Sequence, residues 1–311
     1  MLTMRNAFAD EVTRLANDDK RVVLLSGDIG NRLFDKLRAQ SPSQFINCGV
    51  AEANMMGVAA GMGLTGLRPI VYTITPFTTT RCLEQIRVDV AYHESPVVIV
   101  GTGSGLSYAS LGPTHHSLED FAIFRAIPNL QIFAPWDAPS LRVLLRSALA
   151  SEKPSYIRIG KKGEKDLALI ERVPPIGESL WLKDGNDVCI MAVGTVANEA
   201  IAAADMLADN GINAAVVLVH SLKPLPLNTF EEVSTRFKAI LTVEEHSRIG
   251  GFGEGFLAFL GSHGMQRRVE ILGTDDKFMP TIGSQEFARS YFGISASHIA
   301  EAAKRVIDKT P

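Results

Sequence analysis

The chain has 311 residues, 46% of them apolar and 21% charged, with a formal net charge of −3. These values exclude a disordered or collagen-like polymer and give no electrostatic case for nucleic acid; at roughly 100–200 residues per domain the length suggests two domains. The longest apolar stretches, such as Ala214–Val219, fall far short of the ~20 residues that span a bilayer, and three scattered cysteines (Cys48, Cys82, Cys189) fit a reducing cytoplasm.

In chain order, residues 1–20 mix acids and bases at helical spacing and lack the apolar core of a signal peptide. Short β-branched runs at 22–25, 70–74, 97–100, 131–133 and 156–159 read as buried strands, with helices expected at 31–40, 51–64, 79–93, 117–126 and 138–150. The pattern breaks at Gly160: residues 161–165 are charged, and Val173-Pro174-Pro175 can continue neither a helix nor a central strand. A second alternation follows, with strands at 188–193, 215–219, 240–244 and 269–272 and helices at 197–209, 253–260 and 297–308. Continuous apolar strands between helices imply an α/β protein with two doubly wound, mostly parallel sheet domains. We divide it into 1–165, a linker over 166–186 with some local strand, and 187–311.

Four segments have the composition of a site. Gly49-Val50-Ala51-Glu52 opens a helix of small and apolar residues. Glu52 is there either to complement the helix dipole or, as a desolvated carboxyl, to share a proton with a ring nitrogen. Phe77 follows a strand, where a ring can stack on a heteroaromatic ligand or belong to the core; Arg81 and Glu84 can form a helix-surface pair. Gly112-Pro113-Thr114-His115-His116 precedes Ser117 and Asp120, spaced as a capping box. That puts both histidines at the carboxyl end of a strand, where α/β proteins collect ligands; adjacent histidines diverge, which argues against a two-histidine metal site. Gly250-Gly251-Phe252-Gly253 fails the dinucleotide spacing because position 256 is Phe, so we read it as a tight strand-to-helix turn.

In this order the segments resemble the transketolase family of thiamine-diphosphate enzymes over almost the whole chain. Support comes from Pro128-Asn129-Leu130, Asp137 after Pro135, Gly194-Thr195, and Glu244-Glu245-His246 before the glycine turn. The resemblance implies a pyrimidine-binding domain followed by the family's C-terminal domain. It also implies roles. Glu52 matches the glutamate that bonds the aminopyrimidine and promotes the cofactor carbanion. Phe77 matches the ring that stacks on the pyrimidine, and Asp28 an acidic position near the cofactor. Arg81 matches a site arginine of the related deoxyxylulose-phosphate synthases. His115, with His116 beside it, matches the sugar-donor contact, and Lys161 falls where the family binds the substrate phosphate.

Two positions depart from the family. The aspartate usual before Gly-Pro-Thr-His is Leu111, and the His or Asp twelve residues before His115 is Gly103. Both remove polar donor contacts, which implies an atypical sugar. The family's Gly-Asp-Gly segment, which holds Mg²⁺ and the diphosphate, has no counterpart in this sequence; Gly27-Asp28-Ile29-Gly30 lies at the pyrimidine-domain position. The expectation is therefore one subunit of a split, thiamine-diphosphate-dependent transketolase that moves a ketol unit from a ketose to an aldose. An N-terminal diphosphate-binding partner would supply the Mg²⁺ ligands, none lying on this chain, in an α₂β₂ assembly. The alternatives are the β subunit of a 2-oxo acid dehydrogenase and a non-catalytic binding module.

Overall fold

The computed structural model describes residues 3–30, 32–161, 164, 166–167 and 173–308. Asn31 of the first expected helix, and 162–163, 165 and 168–172 around the linker, lie outside the described residues.

The first sheet contains β1 (Val22–Ser26), β2 (Phe45–Asn47), β3 (Arg68–Ile74), β4 (Val98–Thr102), β5 (Gln131–Phe133) and β6 (Ser155–Ile159). The second contains β7 (Ser179–Lys183), β8 (Val188–Val193), β9 (Ala214–Val219), β11 (Ala239–Ser247) and β12 (Arg268–Thr274). β10 (Ser221–Lys223) comes from the second half of the chain but pairs antiparallel with β5, so the first sheet runs β10-β5-β6-β4-β3-β1-β2. The second runs β12-β11-β8-β9-β7, with β7 antiparallel and drawn from the segment read as linker. The remaining pairings are parallel, and the central strands β1, β4, β6, β8 and β9 are buried along their whole length.

The helices are α1 (Met4–Asp18), α2 (Asp35–Gln40), α3 (Glu52–Leu64), α4 (Thr75–Thr78), α5 (Leu83–Gln85), α6 (Asp120–Arg125), α7 (Ala138–Ser151), α8 (Ala197–Ala208), α9 (Leu227–Arg236), α10 (Phe252–Ser262), α11 (Gln285–Tyr291) and α12 (Ala296–Asp308). α7 begins with a capping box between Asp137 and Ser140, an arrangement that stabilises a helix by about 1 kcal/mol. α3 approaches its neighbours closely because it is built of small residues: a Cβ at Gly63 would overlap the Ser95 hydroxyl and lie 3.1 Å from Pro96 Cδ. One apolar cluster joins the two sheets, with Phe121, Phe124 and Tyr156 packed together with Val219, Leu222, Phe230 and Phe252.

Three expected helices differ. The one at 31–40 starts only at Asp35. The one at 117–126 starts at Asp120, and Ser117 caps nothing: its N–H bonds Gly105 O at 3.1 Å and its carbonyl accepts from Arg158 at 2.7 Å. Asp120 is claimed by the buried Tyr156 hydroxyl at 2.6 Å and by Arg158 at 3.3 Å, and these tertiary partners displace the local capping box. The third, at 79–93, is broken into a 3₁₀ turn (Thr80–Cys82), α5 and a π-helical stretch (Ile86–Tyr92), with α4 a separate turn before it. The Thr75 carbonyl accepts both the Thr78 and Thr79 hydroxyls, at 2.9 and 2.8 Å, and such side-chain bonds compete with the helical ladder.

Candidate active site

Four neighbouring parallel strands, β1, β3, β4 and β6, end on the same edge of the first sheet, and each delivers a candidate residue there. Asp28 follows β1, Phe77 and Arg81 follow β3, His115 lies on the long loop after β4, and Lys161 follows β6. Glu52 reaches the same edge at the first turn of α3. Ligands collect at this edge of parallel sheets because connecting loops leave a crevice beyond the strand ends.

The side chains form a line. Glu52 is 6% exposed and accepts from Arg81 Nη1 at 2.9 Å. The Arg81 guanidinium lies 4.1 Å from the Phe77 ring centre. Phe77 meets the His115 imidazole edge-on at 5.5 Å, and Tyr108 meets the same imidazole at 5.8 Å. Lys161 Nζ sits 4.4 Å from the Tyr108 ring centre. Thr114 Oγ1 lies at hydrogen-bond distance, 2.9 Å, from His115 Nδ1.

Glu52 is therefore not the isolated carboxyl that its small-residue helix implies, because a cation from the unwound segment after β3 reaches it. This contact also tests whether the residues suit a planar, N–H-bearing heterocycle. A planar cation already stacks on Phe77 while donating to Glu52, so ring face and carboxylate are spaced for a group of that shape and polarity. An aminopyrimidine fits both contacts, provided Arg81 swings aside.

Two predicted residues stand apart from the line. Asp28 is exposed; its carboxylate accepts from Asn47 Nδ2 at 3.2 Å and its N–H bonds Gly49 O at 3.1 Å, so it borders the turn that leads to Glu52. His116 is buried and faces the C-terminal half, lining a cavity of about 420 Å³ with Glu119, Ser247, Asp275 and Phe278. Burial pushes its pKa down, and its Nε2 has no partner among the described residues. Among the described residues no group of three His, Cys, Asp or Glu side chains is placed to hold a metal.

Residue-by-residue reading missed Tyr108, which the structure puts between His115 and Lys161. The available signal was Gly103: the ring fills the space that a side chain at 103 would take. Reading also missed what Glu244-Glu245-His246 do. Glu244 accepts from the N–H groups of Phe252 and Gly253 at 2.9 and 3.0 Å, so the start of α10 is already occupied by a carboxylate; burial raises the Glu244 pKa to about 7. Glu245 Oε2 accepts from Leu106 N at 3.0 Å and so grips the loop that carries Tyr108. Burial works against the Glu245 charge, but Arg289, at 2.5 Å, outweighs it and lowers the pKa. His246 stacks on Phe121 at 5.1 Å, and burial pushes its pKa to about 4.

Comparison with known proteins finds two domain models of one family along the chain. The model for the transketolase pyrimidine-binding domain matches residues 1–163, and that for the transketolase C-terminal domain matches residues 177–299. The chain is 32% identical over 311 residues to one of the subunits of an apulose-4-phosphate transketolase from Phocaeicola vulgatus, covering 99% of each. It is 33% identical to the SqwH subunit of a 6-deoxy-6-sulfo-D-fructose transketolase from Clostridium sp. (strain MSTE9), over 98% of this chain and 95% of that one. Among solved structures, a split-gene transketolase described as an inactive β4 tetramer superposes with a TM-score of 0.89 at 31% identity, covering 100% of this chain and 99% of that one. These relatives favour the transketolase branch over a 2-oxo acid dehydrogenase β subunit or a non-catalytic module. With both domain models matched and these relatives aligned end to end, the chain belongs to the transketolase family.

Proposed function

We propose that this chain is one subunit of a split transketolase that moves a ketol unit from a ketose donor to an aldose acceptor, with an atypical sugar as substrate. Thiamine diphosphate is the cofactor, and a diphosphate-binding partner supplies the Mg²⁺ ligands in an α₂β₂ assembly. The observation that carries the reading is the line from Glu52 through Arg81, Phe77, His115 and Tyr108 to Lys161 at one sheet edge. The near end-to-end match to relatives named as transketolase subunits supports the split.

Bound there, the cofactor supplies a nucleophilic carbon that opens and remakes the carbon–carbon bond next to a ketone. Phe77 offers its ring face to the aminopyrimidine, and Glu52 holds a proton at the pyrimidine ring nitrogen. Burial sharpens that contact by excluding competing water. His115, fixed through Nδ1, presents Nε2 to the donor oxygens, where charge develops as the bond breaks. Lys161 supplies a cation for a sugar phosphate, and Asp28 borders the cofactor from the β1 side.

The test is reconstitution. The purified chain is assayed for thiamine-diphosphate binding and for ketose-to-aldose transfer, alone and with a diphosphate-binding transketolase subunit added. Transfer is expected only in the mixture; full activity from this chain alone would sink the split assignment.

A further inference from the structure

Gly103 has a backbone φ of +75°, and a Cβ built on it would overlap Cδ2 and Cε2 of Tyr108 and come within 3.0 Å of Cζ. Position 103 and the Tyr108 ring therefore compete for one volume, and here the ring holds it. Tyr108 is 7% exposed and is fixed from several sides. Its carbonyl accepts from Leu111 N at 2.8 Å, and Leu106, two residues earlier, is held by Glu245 from the C-terminal half. Its ring touches the two groups placed on the sugar side of the site, His115 edge-on and Lys161 over its face. The neighbouring loop position, Leu111, is half exposed and apolar.

We infer that Tyr108, seated in the notch left by Gly103, sets donor specificity by filling the volume from which a polar side chain at 103 would reach the donor and by positioning His115 and Lys161. The inference rests on the transketolase reading above and specifies its substrate class. A site built to bond a substrate hydroxyl rejects the analogue without it by roughly 10⁴–10⁵, because its own polar group is left unpaired, whereas an apolar wall imposes no such penalty. The structure thus assigns this chain a ketose donor that lacks the hydroxyl a polar group at 103 would bond, a deoxy sugar. Its polar contacts are confined to the His115 and Lys161 side.

The experiment uses the reconstituted complex with D-fructose 6-phosphate and its 4-deoxy analogue as paired donors. The wild type should show kcat/KM values for the two within about tenfold, the scale of a contact with no buried group left unpaired. Tyr108→Phe should keep that ratio. Gly103→Asp combined with Tyr108→Ala, which exchanges the ring for a carboxylate that tolerates positive φ, should move the ratio at least tenfold toward the hydroxylated sugar. Thermal unfolding checks the wedge itself: Gly103→Asp alone should lower the melting temperature by several degrees, and adding Tyr108→Ala should recover part of that loss. An unchanged donor ratio in a folded double variant that still binds thiamine diphosphate would overturn the assignment of Tyr108 while leaving the transketolase reading intact. A wild-type complex that favours D-fructose 6-phosphate over its 4-deoxy analogue by about 10³ or more would also overturn it, whereas a complex that binds thiamine diphosphate and transfers a ketol unit from no ketose in a panel of hydroxylated, deoxy and branched donors would overturn both.

Discussion

Arg81 bridges Glu52 and Phe77: it donates to the carboxylate at 2.9 Å while its guanidinium lies 4.1 Å from the ring centre. One planar cation thus engages both groups that the family assigns to the pyrimidine. An aminopyrimidine can take those contacts only if Arg81 gives them up, so on the proposed reading Arg81, which the resemblance places among the cofactor's partners, would instead compete with it.

The competition sets a measurable direction. The exposed cation–π contact and the half-exposed ion pair together contribute about 1 kcal/mol. Arg81→Ala should therefore tighten thiamine-diphosphate binding about fivefold, read by titration of the reconstituted complex. Weaker binding would show that Arg81 contacts the bound cofactor.

Glu52→Gln retains the side-chain volume and removes the charge. Turnover should fall by about 10²–10⁴, the range for losing a positioned proton-transfer group, with little change in secondary structure. Steady-state kinetics with circular dichroism decides; wild-type turnover would remove Glu52 from the mechanism.

Glu245 ties the C-terminal half to the donor loop. It is 3% exposed, paired with Arg289 at 2.5 Å, bonded by Gln285 at 2.9 Å, and grips Leu106 N. Glu245→Ala leaves the Arg289 charge with only part of its compensation, so stability should drop by about 3–5 kcal/mol in urea unfolding. Glu245→Gln keeps an acceptor for Leu106 and should cost less. Where the protein still folds, donor KM should rise more than kcat falls, since the loop carries the proposed substrate contacts.

Glu244 and His246 give opposed pH dependences. The Glu244 pKa rises from 4.5 to about 7 through burial, which outweighs the opposing N–H groups of Gly253 and Phe252 and the more distant Arg158 and Arg125. The folded state then holds the proton more tightly than the unfolded one, so this stabilisation is complete below pH 4.5 and is lost as pH climbs through 7. His246 falls from 6.5 to about 4, so its contribution is present above 6.5 and is lost as pH drops through 4. Between roughly 4.5 and 6.5 the two slopes offset each other. In Glu244→Gln the His246 slope should stand alone, with urea-unfolding stability rising from pH 4.5 to 6.5 more steeply than in the wild type. Parallel wild-type and variant profiles would refute the assignment.

Much of the fold was legible because central parallel strands are buried on both faces and therefore read as unbroken apolar runs: 188–193 appears in the structure with the boundaries the sequence suggests. The short edge strand β10 was not legible. Three residues carry no period, and their partner β5 lies some ninety residues earlier. Local signals also failed where a tertiary partner outbid them, as when Tyr156 and Arg158 claimed Asp120 from its capping box.

The candidate site divides the same way. Glu52, Phe77 and His115 could be proposed from the sequence because each stands in a short motif that resembles one of the transketolase family. That Arg81 spans Glu52 and Phe77, that Tyr108 fills the notch at Gly103, and that Glu245 holds Leu106 from the far half of the chain were decided only by the tertiary structure. Each depends on groups brought together by strand order and by the break in the helix after β3. No spacing along the chain encodes such a juxtaposition, because it is packing across the sheet edge that brings these side chains into contact.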